Sequence, residues 1–203
     1  MFAPLPRSFY QPSAAEVAPA LLGHWLIRRT AEGCCGGIIV ETEAYLVEDP
    51  ASHGFGGLTA RNRAMFGPPG HAYVYLIYGL HYCVNAVCQP AGRAEAVLIR
   101  ALAPIFGTAL MRSRRGPAPA NRLTSGPARI CQALAIDREL DGVDVCAPDS
   151  PLLIAQNPER QAVVAKQGPV QVTPRIGISK AADRPLRFVL AGSPHLSRAI
   201  RHG

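Results

Sequence analysis

The sequence of 203 residues has almost no lysine and no pair of cysteines spaced for a metal site. Lys166 and Lys180 are its only lysines, and the other nineteen of its twenty-one cationic side chains are arginines. None of the six cysteines forms a C-x-x-C pair, which excludes the usual zinc-binding and secreted disulfide frameworks. We therefore expect buried or unreactive thiols and no bound metal.

Long apolar runs are also absent, since no segment approaches the ~20 residues that span a bilayer. The N-terminal segment MFAPLPRSFYQPS lacks the basic stretch and apolar stretch of a signal peptide. We therefore expect a cytoplasmic protein with no membrane partner. No repeat, charge block or linker divides the chain, so the sequence predicts one domain over residues 1–203.

Acidic residues are fewer than basic ones. Fourteen Asp and Glu residues face twenty-one Lys and Arg residues, giving a net charge of +7 and a pI near 9.4. This balance favours a polyanionic partner, and arginine suits bidentate contact with phosphate. Because alanine and proline are also abundant, a compositional bias of the whole chain explains the arginines equally well.

The hydrophobic pattern predicts a mixed α+β fold in which strands dominate. A capping-box spacing of Ser13 and Glu16 begins a first helix that ends at Gly23. Further helices are predicted over 105–115 and from Pro127 onward. Strands are predicted at 24–29, at 37–46 after a turn at EGCCGG, and at 95–103, where Pro104 stops the strand, with short strands and turns after 143. The aromatic segment 71–87 is divided at Gly79 and predicts a hairpin with Tyr78 at its tip.

The strand at 37–46 carries the first candidate chemistry. Alternation places Ile39, Glu41, Glu43 and Tyr45 on the face opposite a nearly apolar one, so they look into a cleft or solvent. Glu43 beside Tyr45 could act as a general base. Glu41 lies about 7 Å along the same face, and such a carboxylate pair is typical of glycoside hydrolysis. Solvated acids on an exposed strand are the alternative.

Tyrosines and arginines supply the second group of candidates. Tyr78 at a hairpin tip is poorly buried, and nucleic-acid-binding proteins use such rings as wedges or stacking surfaces. The segment SGPAR places Arg129 near a helix N-terminus, which can hold a phosphate or form a solvated basic loop. No histidine has metal-ligand spacing. Together these features suggest an enzyme acting on a nucleic-acid base; its candidate phosphate contacts are Arg61, Arg63, Arg100, Arg112, Arg114, Arg115, Arg122 and Arg129.

A family resemblance extends over about residues 10–198. It is carried, in order, by LLG, GGIIVETEAYLVEDPASHGFGGLTARNRAMFGPPGHAYVYLIYGLHYCVNAV, AVLIRALAP, LTSGPARICQALAI, RIGIS and LRFVLAGSP. The sequence resembles the 3-methyladenine (alkyladenine) DNA glycosylase family. The resemblance implies a single α+β domain with a curved, partly barrel-like antiparallel sheet, surrounding helices and a protruding β-hairpin.

The resemblance also implies roles for individual residues. Glu43 matches the general base that deprotonates water, while Arg100 and the backbone of Ile176 match groups that hold that water. Tyr78 matches the wedge that fills the vacated base stack. The remaining matches are pocket residues for the flipped base (Tyr45, His53 and Tyr75), a residue that disfavours guanine (Asn85) and positions near the duplex (Met65, Leu80 and His81).

The implied reaction is hydrolysis of the N-glycosidic bond of flipped, damaged purines in double-stranded DNA. We expect 3-methyladenine as substrate, with hypoxanthine and etheno adducts as further candidates. The absence of lysine before Lys166 argues against a Schiff-base lyase step. We expect a monofunctional monomer of base excision repair that needs no cofactor, with Glu41 in a supporting role.

One position departs from the family pattern, because Ala103 in RALAP stands where the family commonly has the acid of RALEP. That change puts the orientation of Arg100 in question. The sequence leaves two rival functions open: a non-catalytic protein that binds damaged DNA, and a carbohydrate hydrolase that uses both Glu41 and Glu43.

Overall fold

The computed structural model describes residues 2–200, so the ends of the predicted 1–203 domain lie outside the described residues. Eight strands and four α-helices form an α+β fold, as the sequence predicts. The strands are β1 (Trp25–Thr30), β2 (Gly33–Tyr45), β3 (Ala72–Ile77), β4 (His81–Cys88), β5 (Glu95–Phe106), β6 (Leu152–Ala155), β7 (Val170–Thr173) and β8 (Arg187–Leu190). The helices are α1 (Ala14–Leu21), α2 (Thr108–Arg115), α3 (Pro127–Leu134) and α4 (Arg160–Gln167).

All eight strands belong to one antiparallel sheet. Six of them follow one another in the order β3-β4-β5-β2-β1-β6, and β7 and β8 lie off this path. Strand β2 is the centre of the sheet. One of its edges pairs with β5, and the other pairs first with β1 and then, at residues 41–43, with β8. Strand β8 in turn pairs with β7. Since one edge of β2 changes partners partway along, the sheet curls into the half-barrel that the family resemblance implies.

The core lies between this sheet and helices α1 and α3. Val17 and Leu21 of α1 pack with Ile39 and Ile99 from the central strands, and all four are essentially buried. The Thr42 hydroxyl donates to the Ala18 carbonyl at 2.9 Å, which fixes α1 against β2. Glu41, Thr42 and Glu43 are all fully buried, so both faces of β2 are covered at its two glutamates.

Three boundaries predicted from the sequence were wrong. The predicted EGCCGG turn lies mostly within β2, where Gly36 and Gly37 permit close backbone approach. A Cβ on Gly37 would lie 2.4 Å from the Ala103 carbonyl oxygen. Strand β5 continues past Pro104 to Phe106. The predicted helix at 105–115 therefore begins only at Thr108, after a left-handed turn at Gly107. Helix α4 was not predicted, and its mixed polar sequence gives little periodic signal.

The aromatic segment does form a hairpin, with Tyr78 at its tip. Strand β3 pairs with β4 up to Ile77 and His81, leaving three residues in the connection. Tyr78 and Gly79 have φ values of 53° and 69°, and Leu80 N–H donates to the Ile77 carbonyl. The tip stands clear of the core, because Tyr78 and Leu80 are 82% and 77% exposed.

Candidate active site

An aromatic pocket opens between the β3–β4 hairpin, the end of β2 and the loop after β7. It encloses about 570 Å³ of space, part of it open to solvent. Its aromatic walls come from Tyr45, His53, Tyr73 and Tyr75, while Ala51, Met65, Ile77, Asn85, Gly177 and Ile178 complete the lining. The pocket therefore brings together five of the residues to which the family resemblance assigns base or duplex contacts.

Glu43 lies beside this pocket and is completely buried. Its Oε2 accepts hydrogen bonds from the Tyr45 hydroxyl at 2.9 Å and from Arg100 Nη1 at 3.2 Å. Its Oε1 accepts from the Ile176 backbone N–H at 2.8 Å. Arg100 and the Ile176 backbone, which were predicted to act with Glu43, thus both contact its carboxylate. The alternative of solvated acids on an exposed strand was wrong.

A β-bulge brings Arg100 to this carboxylate. Glu41 pairs with Ala101 and Thr42 pairs with Ile99, so Arg100 is skipped in the register between β2 and β5. A bulge redirects the side chain of the extra residue. Here it turns the buried guanidinium of Arg100 toward the two glutamates. Burial works against the charged form, but Glu43 and Glu41 outweigh it and raise the pKa of Arg100.

The Glu41 carboxylate accepts four hydrogen bonds from neighbouring groups of the protein. Its Oε1 accepts from Arg100 Nε at 3.0 Å, Arg187 Nε at 2.8 Å and Ser197 Oγ at 2.6 Å. Its Oε2 accepts from the Ser197 backbone N–H at 2.6 Å. Burial opposes ionisation, but Arg100 and Arg187 outweigh it and hold the pKa of Glu41 below its usual value. These contacts suit a supporting residue better than a second catalytic acid.

Tyr45 is held from behind by a buried arginine. The guanidinium carbon of Arg175 lies 4.7 Å from the Tyr45 ring centroid, within range of a cation–π interaction. Arg175 also forms a buried ion pair with Asp49 and donates to the Ala44 carbonyl at 3.0 Å. Burial, reinforced by the charge of Glu43, raises the pKa of Tyr45. The phenol therefore stays protonated and serves Glu43 as a donor.

The other aromatic walls support one another. His53 Nδ1 is 2.9 Å from the Tyr73 hydroxyl, and the His53 ring meets the Tyr75 ring edge-on at 4.5 Å between centroids. Partial desolvation, with a contribution from Arg61, lowers the pKa of His53, although the residue remains accessible at the pocket mouth. Burial raises the pKa of Tyr73 to about 12. The pocket thus presents uncharged aromatic surfaces.

Two further residues that line the pocket, Asn85 and Met65, are also held in place. Asn85 is buried and donates through Nδ2 to the Tyr73 carbonyl at 2.9 Å, which leaves its Oδ1 as an acceptor. Met65 is 2% exposed and lies against the pocket, whereas Leu80 and His81 are exposed on the hairpin. The hairpin residues Tyr78, Leu80 and His81 thus stand outside the pocket.

Some of the arginines predicted to contact phosphate are instead engaged by other groups of the protein. Arg114 pairs with Glu32, and Arg115 donates to the Gln132 side chain, so both are engaged by the protein. Arg129 donates to the Ser125 carbonyl and hydroxyl beside the start of α3, next to Arg100. Arg63, Arg112 and Arg122 are exposed, as is Arg61, whose Nη2 donates to the Leu76 carbonyl near the hairpin tip.

Ala103 is buried in the main apolar cluster opposite Ile38. Arg100 nevertheless has a partner for each guanidinium nitrogen, because Nη2 donates to Ser197 Oγ at 3.3 Å. The loss of the acid usual in the family therefore leaves the arginine oriented. Four residues of the site were missed from the sequence: Tyr73, Arg175, Arg187 and Ser197. Tyr73 shares its strand face with Tyr75, but no local pattern distinguished the other three.

In the described part of the chain, no cluster of three or more His, Cys, Asp or Glu residues could hold a metal ion. Cys34 is exposed and Cys146 half-buried, while the other four thiols are buried and all six are free. Among residues 2–200, no helix combines the length and apolar character that crossing a membrane requires.

Known proteins resemble this chain over nearly its full length. A family profile described as methylpurine-DNA glycosylase matches residues 8–194. The curated relatives include proteins whose names contain "3-methyladenine DNA glycosylase", and three of them illustrate the match. The protein from Nitrosospira multiformis is 48% identical over 196 residues, which cover 97% of this chain and 95% of that protein. The protein from Methanoculleus marisnigri is 50% identical over 194 residues, covering 96% and 98%. The protein from Rhizobium meliloti is 50% identical over 190 residues, covering 94% of each.

Proposed function

The chain belongs to the methylpurine-DNA glycosylase family, and we propose that it is a monofunctional enzyme that hydrolyses the N-glycosidic bond of flipped, damaged purines. The observation that carries the proposal is the convergence of Arg100, Tyr45 and the Ile176 N–H on the buried Glu43, beside an aromatic pocket. We propose 3-methyladenine as a substrate, and hypoxanthine and etheno adducts as further ones.

Glu43 acts as the general base. The attacking water donates a hydrogen bond to the Glu43 carboxylate and accepts one from the Arg100 guanidinium, which leaves its second lone pair free for the sugar. The Ile176 backbone N–H, 2.8 Å from Glu43 Oε1, holds the carboxylate in position. As the base departs, the sugar carbon becomes oxocarbenium-like, and the nearby carboxylate both stabilises that charge and accepts the water proton. Glu41 positions Arg100 through its Nε and takes no proton itself.

The pocket recognises the extruded base by stacking and by shape. Tyr45, His53 and Tyr75 supply aromatic surfaces for a flipped purine, and base–aromatic stacking is favourable for any base. Asn85 disfavours guanine sterically, because its buried side chain is held by the Tyr73 carbonyl and leaves no room for the exocyclic amino group. A cationic lesion such as 3-methyladenine leaves without much acid assistance, whereas neutral hypoxanthine needs more, so we expect faster release of the cationic base.

The partner is double-stranded DNA, bound by one copy of the chain acting as one domain. Tyr78 enters the base stack from the minor groove as the nucleotide leaves it, with Leu80 and His81 beside the duplex and Met65 at the pocket. A lyase step is not expected, because neither Lys166 nor Lys180 lines the pocket. The product is therefore an abasic site.

Two rival functions are less well supported. A carbohydrate hydrolase would need Glu41 as its second carboxylate, yet Glu41 is occupied by Arg100, Arg187 and Ser197. A binding protein without catalysis would have no use for a buried carboxylate held by three donors at the pocket. The second rival still makes a different prediction, so the experiment must separate binding from cleavage.

The test is single-turnover base release from duplexes that carry one 3-methyladenine analogue or one hypoxanthine. We expect release by the wild type and a loss of at least 100-fold in Glu43→Gln, with lesion binding retained, because the amide cannot accept the water proton. Glu48→Gln removes an exposed carboxylate five residues away and is the matched control, expected to keep wild-type activity. Near wild-type release by Glu43→Gln would remove Glu43 from the mechanism, and binding without release by the wild type would favour the non-catalytic function.

A further inference from the structure

Ser197 makes three hydrogen bonds that join the segment after β8 to the buried charges. Its hydroxyl donates to Glu41 Oε1 at 2.6 Å, and its backbone N–H donates to Glu41 Oε2 at 2.6 Å. The same hydroxyl oxygen accepts from Arg100 Nη2 at 3.3 Å. One side chain thus bridges the acid and the arginine from outside the strands that carry them.

These contacts complete the fixation of the Arg100 guanidinium. Its Nε binds Glu41, its Nη1 binds Glu43 and its Nη2 binds Ser197. With three nitrogens held on three different side chains, the planar group has a single orientation. Without the Nη2 contact only Nε and Nη1 hold the group, and a change of the torsion about Cδ–Nε tilts its plane and carries Nη1 away from Glu43.

The surroundings hold Ser197 in place. Arg187 of β8 donates through Nη2 to the Arg198 carbonyl at 2.8 Å and through Nε to Glu41. The segment after β8 therefore closes onto the same carboxylate that supports Arg100. Ser197 itself is half-buried, so its hydroxyl is shielded without lining the aromatic pocket.

We propose that Ser197 is a positioning residue for base excision. It acts through Arg100 by locking the guanidinium that orients the attacking water beside Glu43. The inference rests on the proposed function, since it assigns Ser197 a part in that reaction and none in binding the damaged base.

The experiment compares Ser197→Ala, Ser197→Thr and Ser193→Ala in single-turnover excision and in equilibrium binding to a lesion duplex. Misplacing a catalytic group by about 1 Å can cost about 100-fold in rate. We expect Ser197→Ala to slow excision by about 10- to 100-fold with an unchanged Kd. Ser197→Thr keeps the hydroxyl and should recover most of the rate. Ser193 lies in the same segment and is buried, but within residues 2–200 its hydroxyl accepts from the His195 N–H alone, so Ser193→Ala should excise like the wild type.

A double-mutant cycle tests whether Ser197 works through Arg100. Arg100→Lys removes the guanidinium that Ser197 holds. We therefore expect Ser197→Ala to slow excision by less than twofold relative to Arg100→Lys alone. An additive effect would overturn action through Arg100. Equal rates for wild type and Ser197→Ala would overturn the role of Ser197 while leaving the glycosylase function intact. If the wild type releases no base, both the function and the role of Ser197 are wrong.

Discussion

At the scale of single residues, the site is built from buried charges that neutralise one another. Glu41, Glu43, Arg100 and Arg187 form one group, and Asp49 with Arg175 forms a second behind Tyr45. Burying a charge is unfavourable unless it is paired and hydrogen-bonded. The carboxylates and guanidiniums therefore hold each other in position, which gives an orientation more rigid than solvated side chains could provide.

The Asp49–Arg175 pair makes a prediction about stability. Arg175→Met leaves the Asp49 carboxylate buried without its partner, and breaking such pairs typically costs about 3–5 kcal/mol. Burial opposes the charge of Asp49, but hydrogen bonds from Arg175 and Ala51 lower its pKa in the fold. We therefore expect the free energy of unfolding in urea to fall by about that amount for Arg175→Met.

Two matched variants make the interpretation specific. Arg175→Met combined with Asp49→Asn removes the unpaired charge and should recover part of the lost stability. Arg184→Met removes an exposed arginine in the neighbouring loop and should change stability by less than about 0.5 kcal/mol. A loss as large for Arg184→Met as for Arg175→Met would show that the ion pair is not the cause.

At the scale of secondary-structure elements, the β3–β4 hairpin places the side chain proposed as a wedge on an unfavourable backbone. Tyr78 has a φ of 53°, in the left-handed region that suits Asn and Gly. A large aromatic residue there costs about 1–2 kcal/mol, and its exposed ring regains little of this through packing. Such strain is typical of residues kept for a function.

We expect Tyr78→Asn to stabilise the fold by about 1 kcal/mol and to weaken capture of a lesion duplex, because it relieves the turn and removes the wedge. Urea unfolding and the Kd for a lesion duplex measure the two effects on the same preparation. Tyr82→Phe, on β4 of the same hairpin, keeps both the turn and the wedge and serves as the control. Unchanged lesion binding by Tyr78→Asn would count against a wedge.

The elements also show what the sequence could and could not predict. Alternation is local, so it correctly grouped Glu41, Glu43 and Tyr45 on one face of β2. The break at Gly79 between two aromatic runs is also local, and it correctly placed Tyr78 at the hairpin tip. The bulge at Arg100 is a property of the pairing between β2 and β5, and no spacing within either strand indicates it. Boundaries near Gly37 and Pro104 were wrong for the same reason, because close packing across strands decides them.

At the scale of the whole molecule, the site depends on residues that are distant in sequence. Glu43 meets Ile176 across 133 positions and Glu41 meets Ser197 across 156. A single serine or a backbone N–H has no pattern of its own in a sequence, so Ser197 could not be identified before the fold was known. Ile176 was assigned a part only because a family motif includes it.

The net charge of +7 gives a prediction for DNA binding as a whole. Contacts between arginine and phosphate release counterions, so the logarithm of the binding constant should fall linearly with the logarithm of salt concentration. The proposed contacts to the flipped base and the wedge are uncharged. We expect the ratio of lesion to undamaged affinity to change less than about threefold over a salt range that weakens both duplexes strongly.

Titrations of Glu43→Gln with matched lesion and undamaged duplexes at several KCl concentrations measure both slopes without cleavage. The undamaged duplex controls for phosphate contacts alone. If the ratio instead declined in parallel with the affinity, lesion recognition would rest on charge, and the assignment of Tyr45, Tyr75 and Tyr78 would have to be revised.

The late position of Ile176 and Ser197 has a consequence for how the protein is made. The β3–β4 hairpin and most pocket walls leave the ribosome long before these two residues are synthesised. A nascent chain can therefore display Tyr78 and Glu43 without the donors that complete the site. Under the proposed function, a fragment that stops before Ile176 would carry the wedge and the carboxylate but lack the arrangement that releases a base.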